Sequence, residues 1–191
     1  DGTTDITRTY PLGELTEDEK RFYTWTLQSH IDLAKAVWLD YCECKMIDTI
    51  AREPLWRHLI NYRCGTGHSV SFVGNVHEGP HALNSRNTTR MRPGMVVTDE
   101  PGVYETDLVG IRIENELVCV HKADNQYGTF LGFEPLMFVP IATSPILPGV
   151  LDKDEIAWLN DYHRQVFAKL APHLNDEERS WLAEKCAAIG C

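Results

Sequence analysis

Apolar side chains recur at helical spacing in the first third of the chain. Thr16 and Glu19 precede them in the arrangement of a capping box, so a long helix is predicted from about residue 16 to about residue 38. A second helix is predicted over residues 44–60, with a bend at Pro54, because proline lacks the amide donor that a helix interior needs. The apolar positions of the first helix are Phe22, Trp25, Leu27, Ile31, Leu33 and Val37.

The middle of the chain has the composition and periodicity of strands. In the run GIRIENELVCV, period two places Arg112, Glu114 and Glu116 on one face of a strand and Ile111 and Ile113 on the other. Glu114 is therefore predicted to point with Arg112, from a sheet that carries the functional site. The runs that predict strands are MVVTDE (95–100), GIRIENELVCV (110–120) and TFLGFEPLMFVPI (129–141).

The last section predicts a pair of helices. Asp152 to Glu155 and Asn175 to Glu178 are both N-cap signals, and apolar residues at helical spacing follow the first of them. The predicted class is α+β. Residues 1–150 are predicted to form a mixed domain of sheet and helices, and residues 151–191 a helical extension.

Composition and charge narrow the partners. The formal net charge is −10, which disfavours nucleic acid and anionic membrane surfaces, because such partners need clustered Lys and Arg. No apolar run approaches the length of a membrane-spanning helix. The six cysteines show no zinc-finger spacing, and a chain of this size has no need of disulfides. A reduced, cytoplasmic setting is therefore favoured. A peptide or another small molecule is the expected partner.

One histidine and several carboxylates carry the candidate chemistry. His68 follows a Gly-rich turn, Glu100 precedes Pro-Gly, and Glu114 lies on the predicted strand, with Asp5 near the start of the chain. An imidazole with carboxylates is a ligand set suited to Mn, Co, Fe or Zn. Two such ions need carboxylates that bridge them, so the number of carboxylates matters as much as the histidine. Seen alone, His68, Glu100 and Glu114 are each more often structural, and Asp5 could merely cap local backbone amides.

Their surrounding motifs give the pattern a specific resemblance. The chain resembles the pita-bread metallopeptidases, in particular the C-terminal part of a long-form cytosolic Xaa-Pro aminopeptidase (aminopeptidase P). The resemblance implies a curved antiparallel sheet with covering helices, hydrolysis of an N-terminal Xaa-Pro bond, and a homodimer. The motifs that carry it, in order, are DGTTDITRT (1–9), GTGH (65–68), NVHEGP (75–80), TDEPGVYE (98–105), GIRIEN (110–115), FEPL (133–136) and WLNDYH (158–163).

Residue roles follow from the same resemblance. It implies that Asp5 and Glu114 bridge two divalent ions, with Mn expected and Co or Zn as alternatives, and that His68 and Glu100 complete the shell of one ion. A hydroxide formed between the ions attacks the scissile carbonyl, and Glu100 accepts and passes on the proton of that water. His77 is expected to steady the oxyanion. Arg112 is expected to orient the carboxylates.

The chain also departs from the family pattern. A further metal-binding aspartate is expected on a strand before the turn at Asp1, so a companion upstream segment is predicted, with a natural short paralogue as the alternative. Cys64 replaces the first histidine of the usual His-Gly-Thr-Gly-His, and Ser69 and Ser71 replace glycines. Two other functions stay open, namely a prolidase-like dipeptidase and a metal-free binding module on the same fold.

Overall fold

A computed structural model of the chain describes residues 3–190. It contains four α-helices and eight strands in that range. In chain order these are α1 (Glu17–Ala34), β1 (Val37–Leu39), α2 (Cys44–Trp56), β2 (Gly67–His68), β3 (Ala82–Leu83), β4 (Val96–Asp99), β5 (Gly102–Glu105), β6 (Val109–Arg112), β7 (Asn115–Asn125), β8 (Gly128–Pro135), α3 (Lys153–Leu170) and α4 (Asp176–Lys185), with a short 3₁₀ helix, Ala171–His173, between α3 and α4.

The central sheet has four antiparallel strands in the order β1-β8-β7-β4. Two smaller ladders, β2 with β3 and β5 with β6, extend it. Strand β7 turns into β8 at Gly128, whose φ of +133° disfavours a side chain. A bulge between His121 and Ala123 shifts the register of this hairpin. The predicted class of antiparallel sheet with helices is therefore observed.

Helices α1 and α2 pack against the central sheet. Leu33 of α1 and Ile47 of α2 share one buried cluster with Val97, Leu117 and Leu131 of the strands. All five side chains are at most 2% exposed, so the strands carry a continuous apolar surface toward the helices. Burial of such side chains is worth about 1.5–3 kcal/mol each.

The C-terminal helices share a second core with α1. Leu159 and Val166 of α3 are fully buried in a cluster with Leu27 of α1 and with Ile113, which lies between β6 and β7. Leu182 of α4 belongs to the same cluster. The tail is thus packed on the sheet and α1, and a domain division after residue 150 stays a prediction.

Helix starts were predicted well and helix ends less well. Capping boxes form at Thr16, Asp152 and Asn175, as their sequences indicate. Helix α1 ends at Ala34, and Val37 begins a strand instead, because β1 pairs with the edge of β8. Helix α2 ends at Trp56, so Pro54 lies in its last turn and the predicted extension to residue 60 is wrong.

Among the described residues before Thr9, the one strand pairing is an isolated bridge at Thr7. The run GIRIENELVCV is divided between β6 and β7 rather than forming one strand. The predicted turn at Asp1 and Gly2 lies outside the described residues. Within residues 3–190, no helix is long and apolar enough to cross a membrane.

The buried His163 of α3 makes a pH-dependent contribution to stability. Its side chain is fully buried, and its Nε2 accepts from the Ile141 amide at 3.1 Å. Burial lowers the pKa of His163 to about 4. The unfolded chain therefore binds more protons than the folded chain as the pH falls below the ordinary histidine range, and stability is lost in that direction.

We expect the unfolding free energy to fall by roughly 2 kcal/mol more in the wild type than in His163→Gln between pH 7 and pH 5. Glutamine keeps an acceptor for the Ile141 amide but does not titrate. Denaturant unfolding at both pH values checks this, with the exposed His121→Gln as the matched control. Equal losses in wild type and His163→Gln would contradict it.

Candidate metal centre

The candidate site lies at a break between two antiparallel ladders. The ladder of β4 with β7 ends at Asp99, and the ladder of β5 with β6 begins at Gly102. Glu100 and Pro101 lie between them, and proline has no amide with which to continue a ladder. Glu114 lies in the corresponding gap between β6 and β7. Both predicted carboxylates therefore leave the backbone at the break rather than within regular strand.

The N-terminal segment pairs into this break. The Glu114 amide donates to the carbonyl of Thr7 at 3.0 Å, which forms an isolated antiparallel bridge. The Thr7 hydroxyl also donates to Glu114 Oε2. Two residues earlier, the Asp5 amide donates to Glu116 Oε1 at 2.7 Å. These bonds hold Asp5 beside Glu114, although the two residues are far apart in sequence.

His68 enters the site from β2, which crosses close over β4. The crossing requires glycine at position 67, since a Cβ there would lie 1.8 Å from the carbonyl oxygen of Thr98. The His68 amide donates to Thr98 Oγ1 at 3.0 Å. His68 Nδ1 lies 3.1 Å from the carbonyl oxygen of Ser69, an acceptor only, so Nδ1 carries the proton and Nε2 faces the carboxylates.

The imidazole and two carboxylates are in direct contact. His68 Nε2 lies 3.2 Å from Glu100 Oε1 and 3.4 Å from Asp5 Oδ2. Burial opposes protonation of His68, but the hydrogen bond to Glu100 and the charges of both carboxylates outweigh it and raise the pKa of His68.

Glu100 is held ionised by its neighbours. Thr98 Oγ1 donates to Glu100 Oε1 at 3.0 Å, and Arg112 Nη1 lies 3.2 Å from Glu100 Oε2. Burial by itself raises the pKa of Glu100, but the hydrogen bonds from His68 and Thr98 and the charge of Arg112 lower it below its ordinary value. Arg112 is in turn fixed by Tyr104, whose hydroxyl accepts from Nε at 2.8 Å.

Glu114 has the opposite environment. Its side chain is 1% exposed, and Oε1 has no hydrogen-bond partner in the part of the chain that the structure describes. Burial, helped by the charges of Glu100 and Asp5 and opposed by the bond from Thr7, raises the pKa of Glu114 to about 7. A buried, unsatisfied carboxylate oxygen beside two other carboxylates is a position that a divalent cation fits, because the ion removes the repulsion and supplies the missing partner.

The donor set fits a metal, but it is not arranged as a closed shell. Across residues 3–190, no three His, Cys, Asp or Glu side chains form a group placed to hold an ion as they stand. Asp5 and Glu100 instead each contact His68 Nε2, and Glu114 is bonded to Thr7. An imidazole with carboxylate oxygens matches a first-row divalent ion such as Mn, Co or Zn.

The predicted catalytic residues also lie at this site. The ring of His77 lies 4.1 Å from the ring of His68, measured between centroids, and its side chain is exposed. Arg112 contacts Glu100, as described above. Arg112, Glu114 and Glu116 all face the site, so the predicted strand face is observed although the strand itself is interrupted.

Several supporting residues were not predicted as part of the site. Thr7 and Thr98 each donate to a candidate ligand, and Glu116 accepts from the Asp5 amide. Period-two spacing placed Glu116 on the correct face, which was the available signal. Thr7 gave no signal, because its partner Glu114 is distant in the chain, whereas Thr98 lies only two residues before its partner Glu100. His81 bonds the Val96 carbonyl through Nε2 at 2.7 Å.

Beside the site lies an open cavity of about 460 Å³. Arg112 and Tyr104 form one wall, and Cys64 lies on the opposite loop. Cys64 is exposed and not in a disulfide. A groove of this volume next to a carboxylate cluster is large enough for several residues of a peptide. The remaining lining residues are Asn61, Tyr62, Arg63, Glu105 and Thr106.

Comparison with known protein families gives two matches. The model for metallopeptidase family M24 matches residues 1–121, and the model for the C-terminal region of peptidase M24 matches residues 129–189. The chain therefore belongs to metallopeptidase family M24.

Individual relatives agree with this assignment. Aminopeptidase P1 of Lotus japonicus is 41% identical over 196 residues, which cover 100% of this chain and 30% of that protein. Aminopeptidase P2 of Arabidopsis thaliana is 44% identical over 189 residues, which cover 95% of this chain and 26% of the relative. The chain thus spans about 30% of the length of such curated relatives.

Solved structures show the same fold. The X-prolyl aminopeptidase of Caenorhabditis elegans, described as a cytosolic enzyme with a di-nuclear active site, superposes with a TM-score of 0.93 at 38% identity. The match covers 99% of this chain and 32% of that one. Prolidase of Pyrococcus furiosus matches 70% of this chain with a TM-score of 0.59 at 28% identity. The predicted pita-bread fold is confirmed.

The environment of Glu114 predicts an unusual mutational effect in the metal-free protein. Because its folded-state pKa is raised, ionisation costs stability as the pH rises through about 7, and the cost is complete above that value. We expect Glu114→Gln to raise the unfolding free energy at pH 8 by on the order of 2 kcal/mol when chelator removes metal.

Glu100→Gln is the matched control, because the pKa of Glu100 is lowered and its charge stabilises the fold at neutral pH. The control variant is expected to lose stability under the same conditions. Denaturant unfolding in chelator checks both variants, and a Glu114→Gln protein less stable than the wild type at pH 8 would contradict the account.

Proposed function

We propose that this chain carries the metal-binding half of a peptidase that hydrolyses the bond between an N-terminal residue and proline. The observation that carries the proposal is the break between the two ladders, where an imidazole contacts two carboxylates from distant segments and where Oε1 of the buried Glu114 has no hydrogen-bond partner among residues 3–190. Membership of family M24 and the names of the curated relatives support the same activity.

The proposed ligands are Asp5, His68, Glu100 and Glu114. Asp5 and Glu114 are proposed to be shared between two ions, because both approach the break from the same N-terminal bridge. Two divalent ions, with Mn proposed and Co or Zn as alternatives, would supply a water acidic enough to ionise near neutral pH and would polarise the scissile carbonyl. An upstream segment is proposed to contribute a further carboxylate.

Glu100 is the proposed proton acceptor. Its pKa is held below the ordinary range, so it is ionised at neutral pH and able to accept a proton. The hydrogen bond from Thr98 and the contact with Arg112 fix the direction of its two oxygens. Arg112 is therefore proposed as an orienting residue, which holds Glu100 while Tyr104 holds the guanidinium.

His77 is the proposed donor to the developing oxyanion. It lies over His68 on the exposed side of the site, where a substrate carbonyl has access. The cavity next to Arg112 and Cys64 is proposed to receive the substrate, with proline as its second residue. A cytoplasmic location and a homodimer are further proposals, which rest on the family resemblance; the C. elegans structure is described as cytosolic.

Cleavage of Arg-Pro-Pro with added Mn tests the proposed activity, using the intact native polypeptide that carries this sequence. Release of free arginine is expected, and His68→Asn is expected to abolish both the release and tight metal binding, because it removes the nitrogen ligand. The exposed His121→Asn should leave both unchanged.

Substrate length separates the alternatives. Cleavage of the dipeptide Arg-Pro but not of Arg-Pro-Pro would favour the prolidase-like reading. A wild-type protein that binds no metal and cleaves neither peptide when Mn is added would favour the binding module and contradict the proposal.

A second prediction concerns His77 alone. His77→Gln is expected to lower kcat for Arg-Pro-Pro by about 10²–10³-fold, the usual effect of removing one oxyanion donor. Metal content is expected to stay at the wild-type value, because His77 is not a proposed ligand. Steady-state kinetics with elemental analysis of the same sample measure both. Loss of metal together with activity would reassign His77 as a ligand.

A further inference from the structure

We infer that Tyr162 of helix α3, acting through Arg8, positions the backbone on which the candidate metal ligands stand. The inference rests on the proposed metal centre and adds residues that do not belong to its ligand set. Helix α3 therefore helps to position the site and is not only part of the hydrophobic core.

Arg8 is the centre of this arrangement. Its Nη1 donates to the carbonyl of Glu114 at 2.6 Å and to that of Thr7 at 2.9 Å, so it clamps both sides of the bridge that carries a ligand. Its Nη2 donates to Asn115 Oδ1 at 2.7 Å. Nε and Nη2 both reach the Val139 carbonyl, at 3.2 and 2.8 Å.

None of the Arg8 contacts within residues 3–190 is a carboxylate. A guanidinium has five N–H donors in a fixed plane, and here they point to carbonyl, amide and hydroxyl oxygens. Such a residue does little for the charge balance of a neighbouring site. Its role is geometric, because one rigid group joins the N-terminal segment, the start of β7 and the loop that leads to α3.

Tyr162 fixes the guanidinium from the side of α3. Its hydroxyl accepts from Arg8 Nη2 at 2.8 Å and lies 3.0 Å from the Val139 carbonyl and 3.3 Å from Asn115 Oδ1. The side chain is 1% exposed, and its ring stacks on Trp158 one turn earlier, with centroids 5.4 Å apart. A buried ring held in this way keeps its hydroxyl in one place.

Asn115 connects the contacts of Arg8 to the end of β4, the strand that precedes Glu100. Its Oδ1 faces Arg8, so its Nδ2 must face His30, where Nε2 lies 3.3 Å away and accepts. His30 Nδ1 lies 3.1 Å from Asp99 Oδ2, and both side chains are fully buried. Asp99 precedes Glu100 in the chain.

The two ends of the arrangement therefore lie next to the two glutamates of the proposed centre. One end fixes the carbonyl of Glu114 itself, and the other fixes the residue before Glu100. Both glutamates stand at the break between the named ladders, where the Glu114 amide bonds the Thr7 carbonyl at 3.0 Å and the Glu100 amide bonds the Thr66 carbonyl at 2.8 Å. The side-chain bonds of Arg8, Asn115 and His30 add to these isolated backbone bonds.

The test compares two buried tyrosines in the intact native polypeptide. Tyr162→Phe removes only the hydroxyl that fixes Arg8. Tyr23→Phe is the matched control, since Tyr23 is 2% exposed and its hydroxyl donates to the Ala142 carbonyl at 2.6 Å, outside the arrangement. Both variants lose one buried hydroxyl, so both are expected to lose thermal stability without metal.

Cobalt is the probe that separates the two variants. We expect Tyr162→Phe to bind Co²⁺ about 10-fold more weakly than Tyr23→Phe by calorimetric titration, the lower end of the effect of residues that orient metal ligands. The visible d–d absorption of bound Co²⁺ is expected to change in Tyr162→Phe and to match the wild type in Tyr23→Phe. A merely structural loss would move the melting temperatures but not the spectrum.

A second pair of variants tests Arg8 directly. Arg8→Lys keeps the charge but loses the planar set of donors, and it is expected to weaken Co²⁺ binding at least as much as Tyr162→Phe. Arg179→Lys is its control, because Arg179 also donates to two carbonyls, those of Ala171 and Leu174, in the exposed tail.

The outcomes distinguish this inference from the proposed function. A wild-type protein that binds Co²⁺, with equal affinity and spectrum in Tyr162→Phe and Tyr23→Phe, would overturn the positioning role alone. A wild-type protein that binds no Co²⁺ would overturn the proposed metal centre and the positioning role with it.

Discussion

The organisation of this protein depends on the repulsion among carboxylates that are drawn together at a break in the sheet. Asp5, Glu100 and Glu114 converge there, and Glu114 is buried with one oxygen unsatisfied. Such a cluster is costly without a cation. The fold tolerates it because apolar cores on both sides of the break, and the bonds of Arg8 and Arg112, fix the backbone around it.

The two arginines have different roles at the site. Arg112 lies at the front of the site, where it contacts the Glu100 carboxylate and lines the cavity. Arg8 lies behind it and, among residues 3–190, contacts only oxygens of neutral groups, including the Glu114 carbonyl. One arginine therefore balances ligand charge and the other fixes ligand position. A site with irregular backbone is held in place in this way, since side-chain bonds add to the isolated backbone bonds that remain at the break.

Much of this could be predicted from the sequence, because helix caps and strand alternation are local signals. The capping box at Thr16 and the shared face of Arg112 and Glu114 are examples. The split of GIRIENELVCV into two strands could not be predicted, because it depends on a change of partner from β5 to β4. The contacts of Arg8 were equally invisible, since they join segments more than 100 residues apart.

The most direct test of the account is the number of metal ions bound per chain, measured by elemental analysis of the native polypeptide after mild purification. The account predicts about two ions in the wild type, in line with the di-nuclear site of the C. elegans structure, and a loss of tightly bound metal in Glu114→Gln. A wild-type protein that holds no metal, or a Glu114→Gln protein that holds as much as the wild type, would contradict it.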